Sequence, residues 1–283
     1  MATEQSNEFI WDTHSTCCGG TFKIRHMKSG RTGARKTWSA APELLRYLTL
    51  NDGLENLAKK RLVPGSILDM VALEPETELT LPSKKCNILE LGGGAGYVSV
   101  GLAKAFHSSN LSNNNTKIMC SDMDRNTIKN LRHNICENKE TKTVAVEKLE
   151  WSNEVGGDKF DKALERNFRV TTDDSISKYN SDPVTLLTHV IASDVHYGET
   201  TLHPLSSIIA SIKYRNPHVQ VIMMLNERSA LKDSIAELVE QIELKVLQKH
   251  EDGYVFNIHV RDVIQSSPTI GGESKLQMKL IEC

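Results

Sequence analysis

The chain is poor in several features that would announce a function. Aromatic residues make up only 5% of its 283 positions, few for the base-stacking platforms of a single-strand nucleic-acid binder. Basic and acidic side chains nearly cancel, 34 against 36 for a net charge of −2, so no broad field draws the chain to nucleic acid or to a membrane surface. No apolar run nears the roughly 20 residues of a bilayer span, and the opening MATEQSNEFIWD lacks the apolar core of a secretory leader. The expectation is a monomeric protein of the cytoplasm, with the nucleus also open to it, and no membrane partner. Six cysteines are present, Cys17 and Cys18 adjacent and Cys86, Cys120, Cys136 and Cys283 far apart, with no C-x-x-C and no histidine at ligand spacing. That argues against a zinc site and a disulfide framework, and no metal is expected.

What is present suits one enlarged domain with a substantial core. A polar N-terminal arm, residues 1–37, carries the basic cluster RHMKSGRTGARK, a charge run expected to be a solvated face. From Trp38 the text WSAAPELLRYL turns amphipathic, with Leu44, Leu45 and Leu48 at helical spacing behind a proline suited to an early helical position. Residues 38–283 then alternate apolar runs with amphipathic stretches. CNILEL (86–91), KIMCS (117–121), TVAVEKL (143–149), VTLLTHVIAS (184–193) and HVQVIMML (218–225) have strand length, and several are rich in β-branched residues. Between them, Val98, Leu102, Ala105 and Phe106 predict one helix, Ile128, Leu131 and Ile135 a second, and Leu205, Ile208, Ile209 and Ile212 a third. Such alternation implies βαβ units: an α/β, Rossmann-like, doubly wound and mostly parallel sheet with helices on both faces, behind an N-terminal extension. Near the end ELKVLQKH (243–250), YVFNIHV (254–260) and LQMKLIE (276–282) read as strands, with Asp252-Gly253 a hairpin turn between the first two. The stretch SSNLSNNN (108–115) and the polar span 152–182 read as insertions.

The most informative stretch is NILELGGGAGYVSVGLAKAF, which sets four glycines between a strand and a helix. In an open α/β sheet a ligand lies beyond the carboxyl ends of the strands, and a glycine turn there lets backbone approach it closely. The dinucleotide pattern G-x-G-x-x-G fails, because the sixth position from Gly92 is Tyr97, and no Lys-Ser/Thr follows to make a P-loop. Glu90 precedes the glycines. An acid there would repel a pyrophosphate but attract a cation such as the amino group of an amino-acid ligand.

Glu90-Leu-Gly-Gly-Gly-Ala-Gly96 resembles the first motif of class I, seven-strand methyltransferases that use S-adenosylmethionine, and the resemblance implies that cofactor and a seven-stranded sheet. A tight turn with no ligand is the plain alternative. A carboxylate at the end of the next strand could accept hydrogen bonds from both ribose hydroxyls. Asp122 directly follows KIMCS, whereas Asp124 precedes the second helix and fits an N-cap; the reverse assignment stays open. Trp151, in Leu149-Glu150-Trp151, either flanks a purine ring or packs on the sheet edge.

The stretch Ser193-Asp194-Val195-His196-Tyr197 lies at the end of the fourth run and lacks the double proline of Asn/Asp-Pro-Pro-Tyr. Asp-x-x-Tyr behind Ile-Ala-Ser resembles instead the eukaryotic family 16 protein lysine methyltransferases. Thr32-Gly33, Trp38-Ser-Ala-Ala, Leu149-Glu-Trp151 and Asn226-Glu-Arg228 fit the same family, in order from about Gly33 to Leu225. The resemblance implies a protein substrate, cofactor contacts at Trp38, Glu90, Gly92, Gly93, Gly94, Gly96, Asp122, Trp151 and Ser193, and catalysis at Asp194 and Tyr197. Asp194 would accept a hydrogen bond from the amine and Tyr197 would wall the channel; a helix cap and a core tyrosine are the structural alternatives. His196 is expected to be a helix-entry or partly exposed histidine, with a role as a base the lesser alternative. A methyltransferase of nucleic acid or of a small molecule, and a non-catalytic member of the fold serving as a binding partner, remain open as alternatives. The third consecutive glycine and the long 152–182 span depart from the family pattern.

Overall fold

The structure is a computed structural model that describes residues 9–28, 35–50, 52–58, 86–109, 116–151, 158–168, 182–226, 232–249, 257–269 and 272–283. In chain order its elements are β1 (Phe9–Ser15), β2 (Thr21–Met27), α1 (Ala40–Thr49), α2 (Gly53–Ala58), β3 (Cys86–Leu91), α3 (Tyr97–Ser108), β4 (Thr116–Asp122), α4 (Arg125–Glu137), β5 (Val144–Lys148), α5 (Asp158–Phe168), β6 (His189–Ser193), α6 (Glu199–Arg215), β7 (Gln220–Asn226), α7 (Lys232–Leu247), β8 (His259–Thr269) and β9 (Gly272–Glu282).

Strands β3 to β9 form one seven-stranded sheet in the order β5-β4-β3-β6-β7-β9-β8. The first five are parallel; β9 runs antiparallel to both β7 and β8. β3 is buried at every position, as a parallel strand covered on both faces must be. Its alternating side chains feed two cores. Ile88 joins Phe22 and Ile24 of β2, Leu44 and Leu48 of α1, Val98 and Leu102 of α3, and Ile128 and Leu131 of α4. Leu89 and Leu91 join Phe160 and Leu164 of α5, Leu205 and Ile209 of α6, and Leu238 and Ile242 of α7. This is the Rossmann-like, doubly wound α/β fold. The chain leaves β3 toward β4 and β5, then returns to β6 on the other side, so the order reverses between β3 and β6 and a crevice opens at their carboxyl ends.

Several expectations are revised by tertiary context. The fourth run is a strand only from His189: Pro183–Leu186 forms a 3₁₀ turn, where Asp182 Oδ1 accepts a hydrogen bond from Val184 N at 2.9 Å. ELKVLQKH is not a strand; through Leu247 it continues α7, whose buried Ile235, Leu238, Ile242 and Val246 repeat at three- and four-residue spacing. Asp252-Gly253 lies outside the described residues, and the terminal hairpin instead joins β8 to β9. LQMKLIE falls within β9. The 152–182 span contains α5, whose Phe160, Ala163, Leu164 and Phe168 are buried, and Arg215 of α6 holds it by donating to Asp161 at 2.8 and 2.9 Å and to Asp182 at 2.7 Å.

The N-terminal arm is solvated only in part: Lys28, Arg35 and Lys36 of the basic cluster and most of β1 are exposed, whereas His26 of the cluster is buried. β1 and β2 pair antiparallel, and alternate residues of β2, Phe22, Ile24 and His26, face the core. The outer edge of β2 meets an asparagine ladder on α4. Asn138 Oδ1 accepts from Lys23 N at 2.9 Å while its Nδ2 donates to Lys23 O at 2.6 Å. Asn134 repeats the pattern on Arg25 at 2.9 and 3.1 Å, and Asn130 donates to Arg25 O at 2.9 Å. Side-chain amides at four-residue spacing thus take the place of a neighbouring strand. Among the described residues no helix is long and apolar enough to cross a membrane.

Asn134 also donates to Ala95 O at 2.8 Å, in the turn before α3, so Asn134→Ala strands polar groups on two segments at once. Its unfolding free energy should fall by about 1–3 kcal/mol in urea titration, the cost of buried groups left without partners. A loss below the error of the titration would mean that apolar packing alone docks the hairpin.

Candidate active site

The turn after β3 is built from backbone that only glycine tolerates. Gly92, Gly94 and Gly96 have φ of 64°, 55° and 87°, left-handed conformations that cost side-chain-bearing residues energy. Gly93 is glycine for a different reason: a Cβ there would stand 2.1 Å from Cys120 Sγ. The third consecutive glycine is therefore a steric requirement of resting the turn on β4. At Gly92 a Cβ would meet Val195 Cγ1 at 2.7 Å and the Trp151 ring at 3.4 Å. Gly93 N donates to Ser121 O at 2.8 Å and Gly94 N to Asp122 Oδ2 at 3.1 Å, which lock the turn to the end of β4.

Glu90 lies beneath this turn, 1% exposed. Its Oε2 accepts from Ser99 N at 3.1 Å, from Ser99 Oγ and from Cys120 Sγ at 3.1 Å. Burial raises its pKa to about 7 against these hydrogen bonds, which pull the other way. Asp122 follows with Oδ1 accepting from Asp124 N at 3.0 Å, and burial moves its pKa up as well. Asp124 is the N-cap of α4, accepting from Thr127 N at 2.9 Å and Thr127 Oγ1 at 3.0 Å.

The opposite wall is the loop from β6 to α6. Asp194 has a φ of 53°, and its carboxylate is occupied by Asn226 of β7, whose Nδ2 donates to Oδ2 at 2.6 Å and whose N donates to Oδ1 at 3.4 Å. Asn226 is hydrogen bonded in turn to Ser39, the N-cap of α1, at 3.0 Å. His196 is buried rather than partly exposed: Nδ1 is 3.2 Å from Thr201 Oγ1 and Nε2 is 2.8 Å from Ser234 Oγ, so it pins the loop between α6 and α7. Tyr197 N donates to Thr201 Oγ1 at 2.7 Å, and Gly198 takes a φ of 95° at the N-cap of α6. The Tyr197 side chain is left 46% exposed.

Between these walls lies a cavity of about 740 Å³, within the usual range for a small-molecule site. Eight of the residues singled out in the sequence line it: Trp38, Gly92, Gly93, Gly94, Asp122, Trp151, Ser193 and Tyr197. The other three stand behind the lining. Glu90 underpins the turn, Gly96 is the N-cap of α3, and Asp194 faces Asn226. Sequence reasoning missed Lys36, Thr37, Met123, Val195, Thr201 and Pro204, which also line the cavity. The first four stand within two positions of a residue it did select, and the first turns of α6 carry the last two. Lys36 Nζ lies 4.1 Å from the centroid of the Trp38 ring. These residues fit S-adenosylmethionine: a bare turn that one Cβ would obstruct, the Asp122 carboxylate at a strand end for ribose hydroxyls, and the half-buried Trp151 indole as a face for a purine.

Comparison with known proteins agrees with this geometry. A family model described as lysine methyltransferase matches residues 21–167. No curated protein matches the chain. Among solved structures, an S-adenosylmethionine-dependent methyltransferase from Agrobacterium tumefaciens is 11% identical, the alignment covering 100% of this chain and 71% of that one at a TM-score of 0.51. An O-methyltransferase from Bacillus cereus, solved with S-adenosylhomocysteine, is 12% identical over 69% of this chain and 73% of that one, at a TM-score of 0.38. At 11% identity the likeness to the Agrobacterium protein is one of fold alone.

The buried Glu90 carboxyl makes stability depend on pH. Its pKa of about 7 in the fold exceeds the ordinary value of 4.5, so the folded chain holds an extra proton between the two. The stabilisation is fully present below pH 4.5 and is lost as pH rises through 7, in total roughly 3 kcal/mol at about 1.4 kcal/mol per unit. Glu90→Gln keeps the acceptor for Ser99 and cannot ionise. Urea titrations from pH 5 to 8 should show the wild type losing stability relative to Glu90→Gln by about that amount; parallel profiles would refute a near-neutral Glu90.

Proposed function

The chain belongs to the lysine methyltransferase family, as a class I enzyme dependent on S-adenosylmethionine, and from that premise we propose that it methylates a lysine side chain of a protein substrate. Support for the protein substrate comes from the family match and from the cavity mouth. Met123, 56% exposed, and Tyr197, 46% exposed, both line the cavity and turn large apolar surfaces to solvent, where a protein surrounding the target lysine could pack. The balanced charge of −2 gives a phosphate backbone little to bind.

When bound, S-adenosylmethionine supplies an electrophilic methyl on a positive sulfonium, which also disfavours an ammonium beside it. The glycine turn would let backbone approach the ligand closely, Asp122 would accept from its ribose hydroxyls, and Trp151 would cover its purine. A lysine side chain, with a pKa of about 10.4, must shed its proton to offer a lone pair, and the open mouth beside Tyr197 gives that proton a route to water. Tyr197 walls the channel and aligns the amine. Asp194 acts in this reading as a positioning residue. Its bond to Asn226 sets where Ser193 and Tyr197 stand, and contact with the amine would require that bond to break. Alignment of the two reactants carries most of the rate, so little proton-transfer machinery is needed.

The deciding experiment incubates the full chain with labelled S-adenosylmethionine and a whole-cell extract, followed by mass spectrometry of the labelled species. Methyl-lysine in a protein is the expected product; label confined to RNA or to a small amine would overturn the substrate assignment. Two variants separate cofactor from substrate binding. Asp122→Ala, if its melting temperature stays within a few degrees of wild type, should weaken cofactor binding by about 1–3 kcal/mol in calorimetry. Tyr197→Ala should leave cofactor affinity within about twofold and lower turnover at least tenfold, as expected for an interaction made mainly in the transition state. Wild-type turnover in Tyr197→Ala would remove it from the channel.

A further inference from the structure

The β-hairpin brings together three metal-binding side chains that the sequence keeps at no recognisable ligand spacing. Asp12 stands opposite Ile24 and His14 opposite Phe22, so His26, two residues beyond Ile24, shares their face. One carboxylate oxygen of Asp12 and one ring nitrogen from each of His14 and His26 all lie within 4.8 Å of one another. His26 Nε2 is 3.2 Å from Asp12 Oδ2 and 3.4 Å from Thr37 Oγ1. The His14 ring packs edge-on against Tyr97, the first residue of α3, with centroids 4.8 Å apart.

Hydrogen bonding leaves this cluster incomplete. His14 Nε2 and His26 Nδ1 are buried with no hydrogen-bond partner among the described residues, a cost that native interiors rarely carry. The His26 side chain is 4% exposed whereas that of Asp12 is 50% exposed, so the cluster has a dry side and a side open to solvent.

We propose that Asp12, His14 and His26 form a binding site for a divalent transition-metal ion of the zinc type, which ties β1 to β2 of the N-terminal hairpin. Two imidazoles and one carboxylate suit zinc, whereas magnesium and calcium prefer oxygen donors throughout. Three protein ligands leave a fourth position for water, reachable on the open side beside Asp12. Thr37 and Tyr97, which border the cluster, both line the cofactor cavity, so the ion would stiffen that wall from behind. The role is structural, and it stands apart from the substrate assigned above.

Zinc chloride titrated by calorimetry into chelator-treated full-length protein tests the site. The expected result is one ion per chain, with a melting temperature several degrees higher at saturating zinc. His14→Gln and Asp12→Ala should each bind zinc at least tenfold more weakly; Asp12 is exposed, so its variant should keep the wild-type circular dichroism. A Cys17→Ser, Cys18→Ser variant should bind as wild type does. Absence of zinc binding by the folded protein overturns the proposal, as does binding that survives both Asp12→Ala and His14→Gln or that disappears with the two cysteines.

Discussion

A buried carboxyl under a glycine turn organises this molecule. Glu90 sits on the central strand β3, yet its Oε2 gathers Ser99 from the first turn of α3 and Cys120 from β4. Ser121 Oγ closes the set by donating to Glu90 O at 2.7 Å. One residue thereby sets the distance between two strands and the helix that follows. The desolvation that raises its pKa to about 7 is the cost of this arrangement, and hydrogen bonds from three donors offset part of it. With the acid occupied from below, the chain above it must be bare: Gly93 has no room for a side chain because Cys120 already fills the space. The acid and the glycines are thus a single packing solution. The cofactor-facing surface is its upper side.

That solution is held from outside by a second set of polar contacts. Asn134 reaches both Arg25 of β2 and Ala95 of the turn, so the hairpin, α4 and the glycine turn share one side chain. A neighbouring strand could satisfy the edge of β2 equally well, but it would extend a flat edge open to further pairing. Helix-borne amides satisfy the same donors and acceptors while presenting no new edge. The N-terminal segment is in this way a working part of the wall, since Lys36, Thr37 and Trp38 border the cavity just beyond it.

Much of the architecture was legible because parallel strands are buried on both faces and read as unbroken apolar runs; CNILEL is buried at every position. The glycine turn was equally legible, since few other sequences meet a strand-to-helix crossing with four glycines. What escaped the reading depends on long-range partners. The role of Glu90 turned on Ser99 and Cys120, nine and 30 residues away, which no local pattern links to it. The start of the basic cluster looked solvated because its charges hide His26, which continues the inward alternation that Phe22 and Ile24 begin just before it. ELKVLQKH looked extended because an eight-residue window cannot reveal that Val246 continues the helical spacing of Ile235, Leu238 and Ile242. Asp194 could be placed at a strand end from sequence, but only the packed β7 supplies Asn226 to capture its carboxylate.

The two halves of the site rest on different foundations. The residues matched to the family, 21–167, hold the glycine turn, Asp122 and Trp151, the side proposed for the cofactor. The β6–α6 loop and Asn226 lie beyond that match, so the acceptor side is defined by this chain's own contacts. Those contacts make the loop stiff. Asp194 is bound to β7, His196 bridges α6 to α7, and Thr201 holds the backbone of Tyr197, so three anchors span eight residues. A loop so fastened cannot reshape itself around successive ligands, and the entropy of ordering it is lost on folding rather than on binding. Within it the Tyr197 side chain is nearly half exposed where it lines the cavity, so under the proposed function an incoming side chain would meet a part of the wall whose backbone is already fixed.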